Sequence, residues 1–301
     1  MLRRMPSGRA TALVMVALLL AGCSSDRVGS SGQVGATDGS APASTSAATA
    51  GGIPTPDHVM VAVFENENAG SILDASAAPY LNTLARQGMV LADSHGVAHP
   101  SEPNYLALFS GSTHGVTGDP CPVNLSGENL ATELTQAGRS FVGYSEGLPE
   151  AGWTGCESGE YARRHNPWVD FSSVSPEANQ PLSALPDNYA ELPTVSFVVP
   201  NVCHDMHDCS IATGDAWARN HLSGFVDWAQ THNSLLVITF DEDDDRAVNH
   251  IATILVGPMV RPGQNNQHIN HYGVLRTIET MYGLPFLGNA ATAQPVTGIW
   301  R

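Results

Sequence analysis

The sequence contains no lysine. All thirteen of its basic side chains are arginine, set against twenty-nine Asp and Glu, for a formal net charge of −16. Nucleic-acid binding needs a basic footprint to neutralise phosphates, so a surface this acidic argues against it. Direct docking on anionic lipid headgroups is disfavoured for the same reason. Internal repeats are absent, and so is a second linker that would split the chain beyond its N-terminal part. The apolar run over 13–20 is too brief to span a bilayer. What is present suffices for a packed core: 301 residues, 42% of them hydrophobic, accommodate one large α/β domain or two modest ones.

Arg3 and Arg4 followed by that apolar run read as an export leader over 1–22. It closes on Leu20-Ala21-Gly22-Cys23, the pattern of a bacterial lipobox, in which Cys23 is lipidated and becomes the mature N-terminus. An ordinary cleaved leader with an incidental cysteine is the alternative. Residues 23–54 are dominated by Ser, Gly, Ala and Thr and are expected to be a flexible tether, leaving 55–301 as the folded domain. The expected location is the outer face of the bacterial cell membrane, reached only through the lipid, or the medium after release. Cys121, Cys156, Cys203 and Cys209 form an even set, which in an exported chain suggests disulfides. Cys203 and Cys209 are close in sequence and are paired together, leaving Cys121 with Cys156. A cysteine-rich zinc site is the runner-up, without C-x-x-C spacing to support it.

Beyond residue 57, strand and helix patterns alternate. Residues 58–64, 140–144, 194–199, 234–240 and 251–256 read as strands. Residues 78–87, 103–110, 129–137, 215–230 and 271–282 read as helices, with Pro103 at a first helical position and Gly88, Gly138 and Gly283 as stops. Strands separated by helices imply an α/β domain with a mostly parallel central sheet and helices on both faces. The stretch 146–190 is loop-rich and is expected to form a cap.

Three of these strands run into titratable side chains. The first ends at Glu65-Asn66, the third at Asn201 and then His204-Asp205-Met206-His207-Asp208, the fourth at Asp241-Glu242-Asp243-Asp244-Asp245. Open α/β sheets bind ligands beyond the carboxyl ends of their strands, so parallel strands would bring the three clusters together. Singly, each has an ordinary explanation as a turn, a small pinched loop or a solvated acidic run. Together, converging carboxylates call for a cation, and hard oxygen ligands suit Mg²⁺, Ca²⁺ or Mn²⁺. Ser101 lies just before the helix over 103–110, whose positive end favours an anion. Its hydroxyl becomes a nucleophile only with a base or a metal beside it, and is otherwise a plain helix cap.

Ser101-x-Pro103-Asn104, followed by Gly111 and His114-Gly115, resembles the nucleophile segment of the alkaline-phosphatase superfamily. Glu65-Asn66 resembles the Glu-Asn pair of its phosphoesterase branch, which includes bacterial phospholipases C and acid phosphatases. HPSEPNYLALFSG, YARRHNPWVDFS, DMHD-x-SIA-x-GDAW and TFDEDDD are similar to mycobacterial secreted acid phosphatases, in order, from residue 57 to the end. The resemblance implies an alkaline-phosphatase-like fold and a metal-dependent phosphomonoesterase that passes through a phosphoserine on Ser101. It implies that Glu65, Asn66, Ser101, Asp241 and Glu242 surround a divalent ion. It also implies a histidine that binds phosphate or protonates the leaving group, His207 first, with His271 and His204 behind it. Substrate contacts are expected at Asn66, His99, Asp208 and His271. The substrate is expected to be a small phosphomonoester or a phospholipid headgroup, drawn by the local ion rather than by the overall charge. A phospholipase C-like phosphodiesterase and a non-catalytic phosphate- or metal-binding lipoprotein are the alternatives. Two departures stand out: Glu67-Asn68 replaces the usual Arg-Ser, removing a substrate-contacting arginine, and Cys203 and Cys209 flank the histidine-rich loop. His58, His165, His221 and His232 read as ordinary core or surface histidines, and Trp217 and Trp228 as packing residues.

Overall fold

The structure, a computed structural model, describes residues 52–245 and 248–301; the expected leader, Cys23 and the tether up to residue 51 lie outside the described residues. In chain order the elements are β1 (His58–Phe64), α1 (Ala69–Ile72), α2 (Pro79–Gln87), β2 (Met89–His95), α3 (Ser101–Ser110), α4 (Leu130–Gln136), β3 (Phe141–Ser145), β4 (Glu157–Ser158), β5 (Tyr161–Ala162), β6 (Asn179–Pro181), β7 (Val195–Val199), α5 (Ile211–Ala229), β8 (Ser234–Phe240), β9 (Thr253–Val256), β10 (Gly263–Asn270) and α6 (His271–Tyr282). Eight strands make one sheet in the order β10-β2-β9-β8-β1-β7-β3-β6, and β4 and β5 form a separate hairpin.

The two faces of β1 enter different cores. Val59, Val61 and Val63 pack with α3, α4 and α6, whereas Met60, Ala62 and Phe64 pack with α2 and α5. β8 divides in the same way, Leu235 and Val237 on the first side, Leu236, Ile238 and Phe240 on the second. A strand buried on both faces has no polar alternation to show, hence the unbroken apolar runs. β1 and β8 are parallel, with Phe64 opposite Phe240. The residues that follow, Glu65 and Asp241, therefore leave the sheet side by side, and their parity turns both towards α3.

The sheet is mostly parallel, but β9 runs antiparallel to both β8 and β2. Outside the stretch 146–190, two strands lack a sequence signal: β2 ends in the polar run ADSH, and β10, on the sheet edge, is largely exposed and rich in Asn and Gln. α3 begins at Ser101, two residues earlier than its pattern indicates, so Pro103 is its third residue. α5 begins at Ile211 because Ser210 caps it, accepting the Thr213 N–H. The stretch 146–190 is irregular as expected, yet it also extends the sheet, since β6 pairs with β3. Ile53 packs against the core and the Thr55 hydroxyl donates to the Met281 carbonyl at 2.8 Å, so ordered contacts begin just ahead of residue 55. Cys121–Cys156 and Cys203–Cys209 are both bonded, which disposes of the zinc alternative.

Candidate active site

The chain turns at the end of β1 through Asn66, whose φ of 53° is left-handed, a conformation that Asn tolerates better than most residues. The turn directs the Asn66 N–H to Asp241 Oδ1 at 3.1 Å. Glu65, fully buried, accepts the Ser101 hydroxyl on Oε2 at 2.8 Å and the Tyr105 hydroxyl on Oε1 at 2.5 Å. Ser101 and Tyr105 lie one turn apart on α3, so one face of the helix grips this carboxylate. Ser101 is the first residue of α3, not its cap; Pro100 precedes it. The amide of Glu102, next in line, donates to Asp119 Oδ1 at 2.9 Å. A carboxylate thus rests where an anionic substrate was expected.

The Cys203–Cys209 bond closes the loop that carries Asp205 and His207. The Asp205 carbonyl accepts the Glu65 N–H at 2.8 Å, and its Oδ1 accepts the His207 N–H at 2.8 Å. Its Oδ2 lies 3.0 Å from His165 Nδ1, and His165 Nε2 lies 3.3 Å from Glu65 Oε1, close but not aligned as a hydrogen bond. His165, which reads as an ordinary histidine, is therefore buried within the site. The ligand atoms of Glu65, His165 and Asp205 all fall within 4.8 Å of one another.

The remaining expected residues divide. His207 stands at the open side, its ring 6.0 Å from that of His165 and its Nδ1 2.7 Å from the exposed Asp208. His99 Nδ1 is 2.8 Å from Glu242 Oε2, which also receives Asn104 Nδ2 at 3.3 Å. His204 turns elsewhere, to Glu146 Oε2 at 2.8 Å. His271 is buried beneath the acidic pair, with Nε2 2.6 Å from the Asp241 carbonyl, so it supports that backbone rather than the open surface.

The acidic run is no solvated loop: Asp241, Glu242 and Asp243 are 1%, 6% and 1% exposed. Burial pushes the Glu65 carboxyl well above its usual range, and Asp241 and Asp205 add to the effect. Burial also lifts Asp241 and Asp205 to about 7 and Glu242 to about 9, in the last case with Asp241 adding. The His165 imidazole is driven well below its normal value by burial, and Arg164 and His207 contribute. Acids that resist ionising beside an imidazole that resists protonation are groups short of a cation. Asp241 Oδ2, Asp205 Oδ2 and His165 Nε2 are buried without a hydrogen-bond partner among the described residues. Carboxylate oxygens with one imidazole fit a divalent ion. Asp205 and His165 enlarge the donor set beyond the sequence expectation, while Asn66 serves through its backbone. Arg164, acting electrostatically on both His165 and Asp205, supplies a cation that the Glu67-Asn68 pair does not.

Residues 57–285 match the family model described as the Phosphoesterase family. Over 292 residues the chain is 47% identical to phosphatidylinositol-3-phosphatase of Mycobacterium tuberculosis, covering 96% of this chain and 94% of that one. It is 31% identical to an acid phosphatase of Aspergillus fumigatus over 238 residues, 71% of this chain and 53% of the fungal protein, so it spans about half of that relative. Among solved structures, a protein of the alkaline phosphatase superfamily from Vibrio parahaemolyticus matches with a TM-score of 0.55 at 12% identity, covering 82% of this chain and 72% of that one. The phosphonate monoester hydrolase of Silicibacter pomeroyi matches with a TM-score of 0.54 at 13% identity, covering 80% and 76%. At such identities the likeness is one of fold.

Proposed function

Because the chain belongs to the phosphoesterase family and its relatives are phosphatases, we propose that it is an exported, lipid-anchored, divalent-metal-dependent phosphomonoesterase with Ser101 as nucleophile. The observation that carries this reading is the 2.8 Å contact of Ser101 Oγ with Glu65 Oε2, at the start of α3 and beside Asp241. A divalent ion held by Glu65, Asp241 and Ser101, with His165, Asp205 and Glu242 around it, would neutralise phosphoryl oxygens and favour the ionised hydroxyl.

The chain's own groups do the rest. Glu65 aims Ser101 Oγ, and Tyr105 fixes the other oxygen of that carboxylate. The phosphoryl group meets the positive end of α3, where it displaces Asp119 from the Glu102 amide. Ser101 gives its hydroxyl proton to Glu65 Oε2, the oxygen that accepts it at 2.8 Å, and its Oγ bonds to phosphorus as the ester oxygen departs. His207, held through Nδ1 by Asp208, uses Nε2 to protonate that oxygen. The same nitrogen then takes a proton from the water that hydrolyses the phosphoserine, and the released Ser101 oxygen recovers its proton from Glu65. Positioning and charge neutralisation dominate such transfers.

For the substrate, 47% identity along nearly the whole of a phosphatidylinositol-3-phosphatase favours a phosphorylated inositol headgroup over other monoesters. The test is Ser101→Ala, assayed on a chromogenic phosphomonoester and on a short-chain phosphatidylinositol 3-phosphate. Loss of about 10³-fold or more on both is expected, with an acid-stable phosphoenzyme trapped only in the unmutated chain. Near-full activity in the variant would remove the nucleophile assignment, and turnover of phosphatidylcholine at a comparable rate would favour a phospholipase C-like diesterase.

A further inference from the structure

A second group of ligand-type side chains sits on β2 and β10. Asp93 and His95 share one face of β2. His95 Nε2 is 2.7 Å from Asp93 Oδ1, and His268 Nδ1 is 3.1 Å from Asp93 Oδ2. The three donor atoms lie within 4.8 Å of one another, and the two imidazole rings are 4.9 Å apart.

His268 reaches this face through an irregularity in the pairing. Asn265 is opposite Leu91 and His268 opposite Asp93, so β10 takes three residue steps where β2 takes two. In an unbroken register Gln267 would face Asp93 and the His268 side chain would project from the other side of the sheet. The bulge is pinned in place: Asn265 Oδ1 accepts the Gln267 N–H at 2.7 Å, and the Gln267 side chain is tied to the Pro295 carbonyl and the Thr297 N–H.

His95 shows what the group is suited to hold. Its Nδ1 is 3.0 Å from the Val248 carbonyl, so that nitrogen carries a proton and donates. Its Nε2, 2.7 Å from Asp93 Oδ1, is the nitrogen left facing the carboxylate and His268, and small side-chain rotations would open that hydrogen-bonded contact to an ion. A backbone carbonyl that fixes the tautomer in this way is the usual support of a metal-bound histidine. We infer that Asp93, His95 and His268 form a binding site for a zinc-class divalent ion, separate from the acidic centre, with solvent completing the coordination. The ion would tie β10 to β2. α6, with His271 at its head, follows β10 directly, and the segment after β2 leads to Ser101, so the tie braces two supports of the acidic centre.

The experiment is calorimetric titration of Zn²⁺ into the untagged, chelator-stripped full chain carrying Asp241→Asn, which weakens the acidic centre and leaves the β2–β10 group intact. One tight Zn²⁺ equivalent is expected to remain. Adding His268→Ala, at a side chain 69% exposed, should weaken it by more than the roughly 10–100-fold typical of losing an outer-shell partner. His95→Ala should do the same, and each change should abolish the visible spectrum of tetrahedral Co²⁺ substituted at the site. Failure of the Asp241→Asn chain to bind Zn²⁺, or equal affinity with and without these histidines, overturns the assignment.

Discussion

The ring of Tyr105 lies over that of His165, 5.2 Å between centroids and 9° from parallel, while its hydroxyl holds Glu65. One side chain on α3 therefore positions two donors that come from the end of β1 and from the irregular stretch 146–190. Tyr105→Phe keeps the stack and deletes the hydrogen bond. Divalent-ion affinity and kcat are expected to fall together, by roughly 10–100-fold, as for other partners that orient a ligand. Folding stability should fall by no more than about 1–3 kcal/mol. Ion affinity left unchanged in a calorimetric titration would show that the hydroxyl does not orient Glu65.

His165 also marks where sequence reasoning stops. β1 and β8 are legible because burial on both faces leaves unbroken apolar runs, and their matched ends bring Glu65 and Asp241 together. Ser101 is legible from its Ser-x-Pro-Asn context. β2 and β10 are not: β10 is a polar edge strand with the composition of a loop, and β2, though paired on both sides, carries only three apolar residues before the polar run ADSH. Nor is the direction of β9, because apolar content carries no sign for parallel or antiparallel pairing. His165 sits in a segment without periodicity, and its burial depends on Tyr105, sixty residues away in the chain. The RRHNPW run was a visible motif, but nothing in its spacing tied it to Glu65.

Asp119 offers a separate test, because an exposed carboxylate there occupies the Glu102 amide and faces Glu242 electrostatically. In the proposed reaction an incoming phosphate dianion displaces it. Asp119→Asn should relieve about 0.3–1 kcal/mol of repulsion, lowering KM for a phosphomonoester about two- to fivefold with kcat little altered. The gain should shrink in high salt, where exposed charges are screened. A higher KM in the variant would mean that Asp119 assists binding.

Gly111 ends α3 in a left-handed turn at φ 70°, and a Cβ there would lie 2.2 Å from the Leu287 carbonyl oxygen. Left-handed backbone costs an L-residue roughly 1–2 kcal/mol, and overpacking adds roughly 1–3 kcal/mol. Gly111→Ala is therefore expected to destabilise the domain by a few kcal/mol in urea unfolding and to reduce activity through displacement of α3. A variant of wild-type stability would mean that the Leu287 segment yields freely.

Glu279, on α6, gives a pH dependence whose sign can be worked out. Its carboxyl is buried; Oε1 accepts the Leu287 N–H at 2.9 Å, and Oε2 has no partner among the described residues. Burial lifts its pKa to about 8; the Leu287 N–H opposes the rise, and Glu133 adds to it. In the unfolded chain the group ionises near 4.5. Between these values the folded state binds more protons than the unfolded one, so the contribution of Glu279 to stability declines as pH rises from about 4.5 and levels off above about 8. Glu279→Gln keeps an acceptor for Leu287 and removes the ionisation. The variant should match the unmutated chain near pH 4.5 and exceed it by roughly 1–3 kcal/mol near pH 9. Comparing urea midpoints of the two chains at each pH cancels the titration of the acidic centre, which both share, so a difference that fails to grow with pH would mean that Glu279 ionises in the folded state almost as readily as in water.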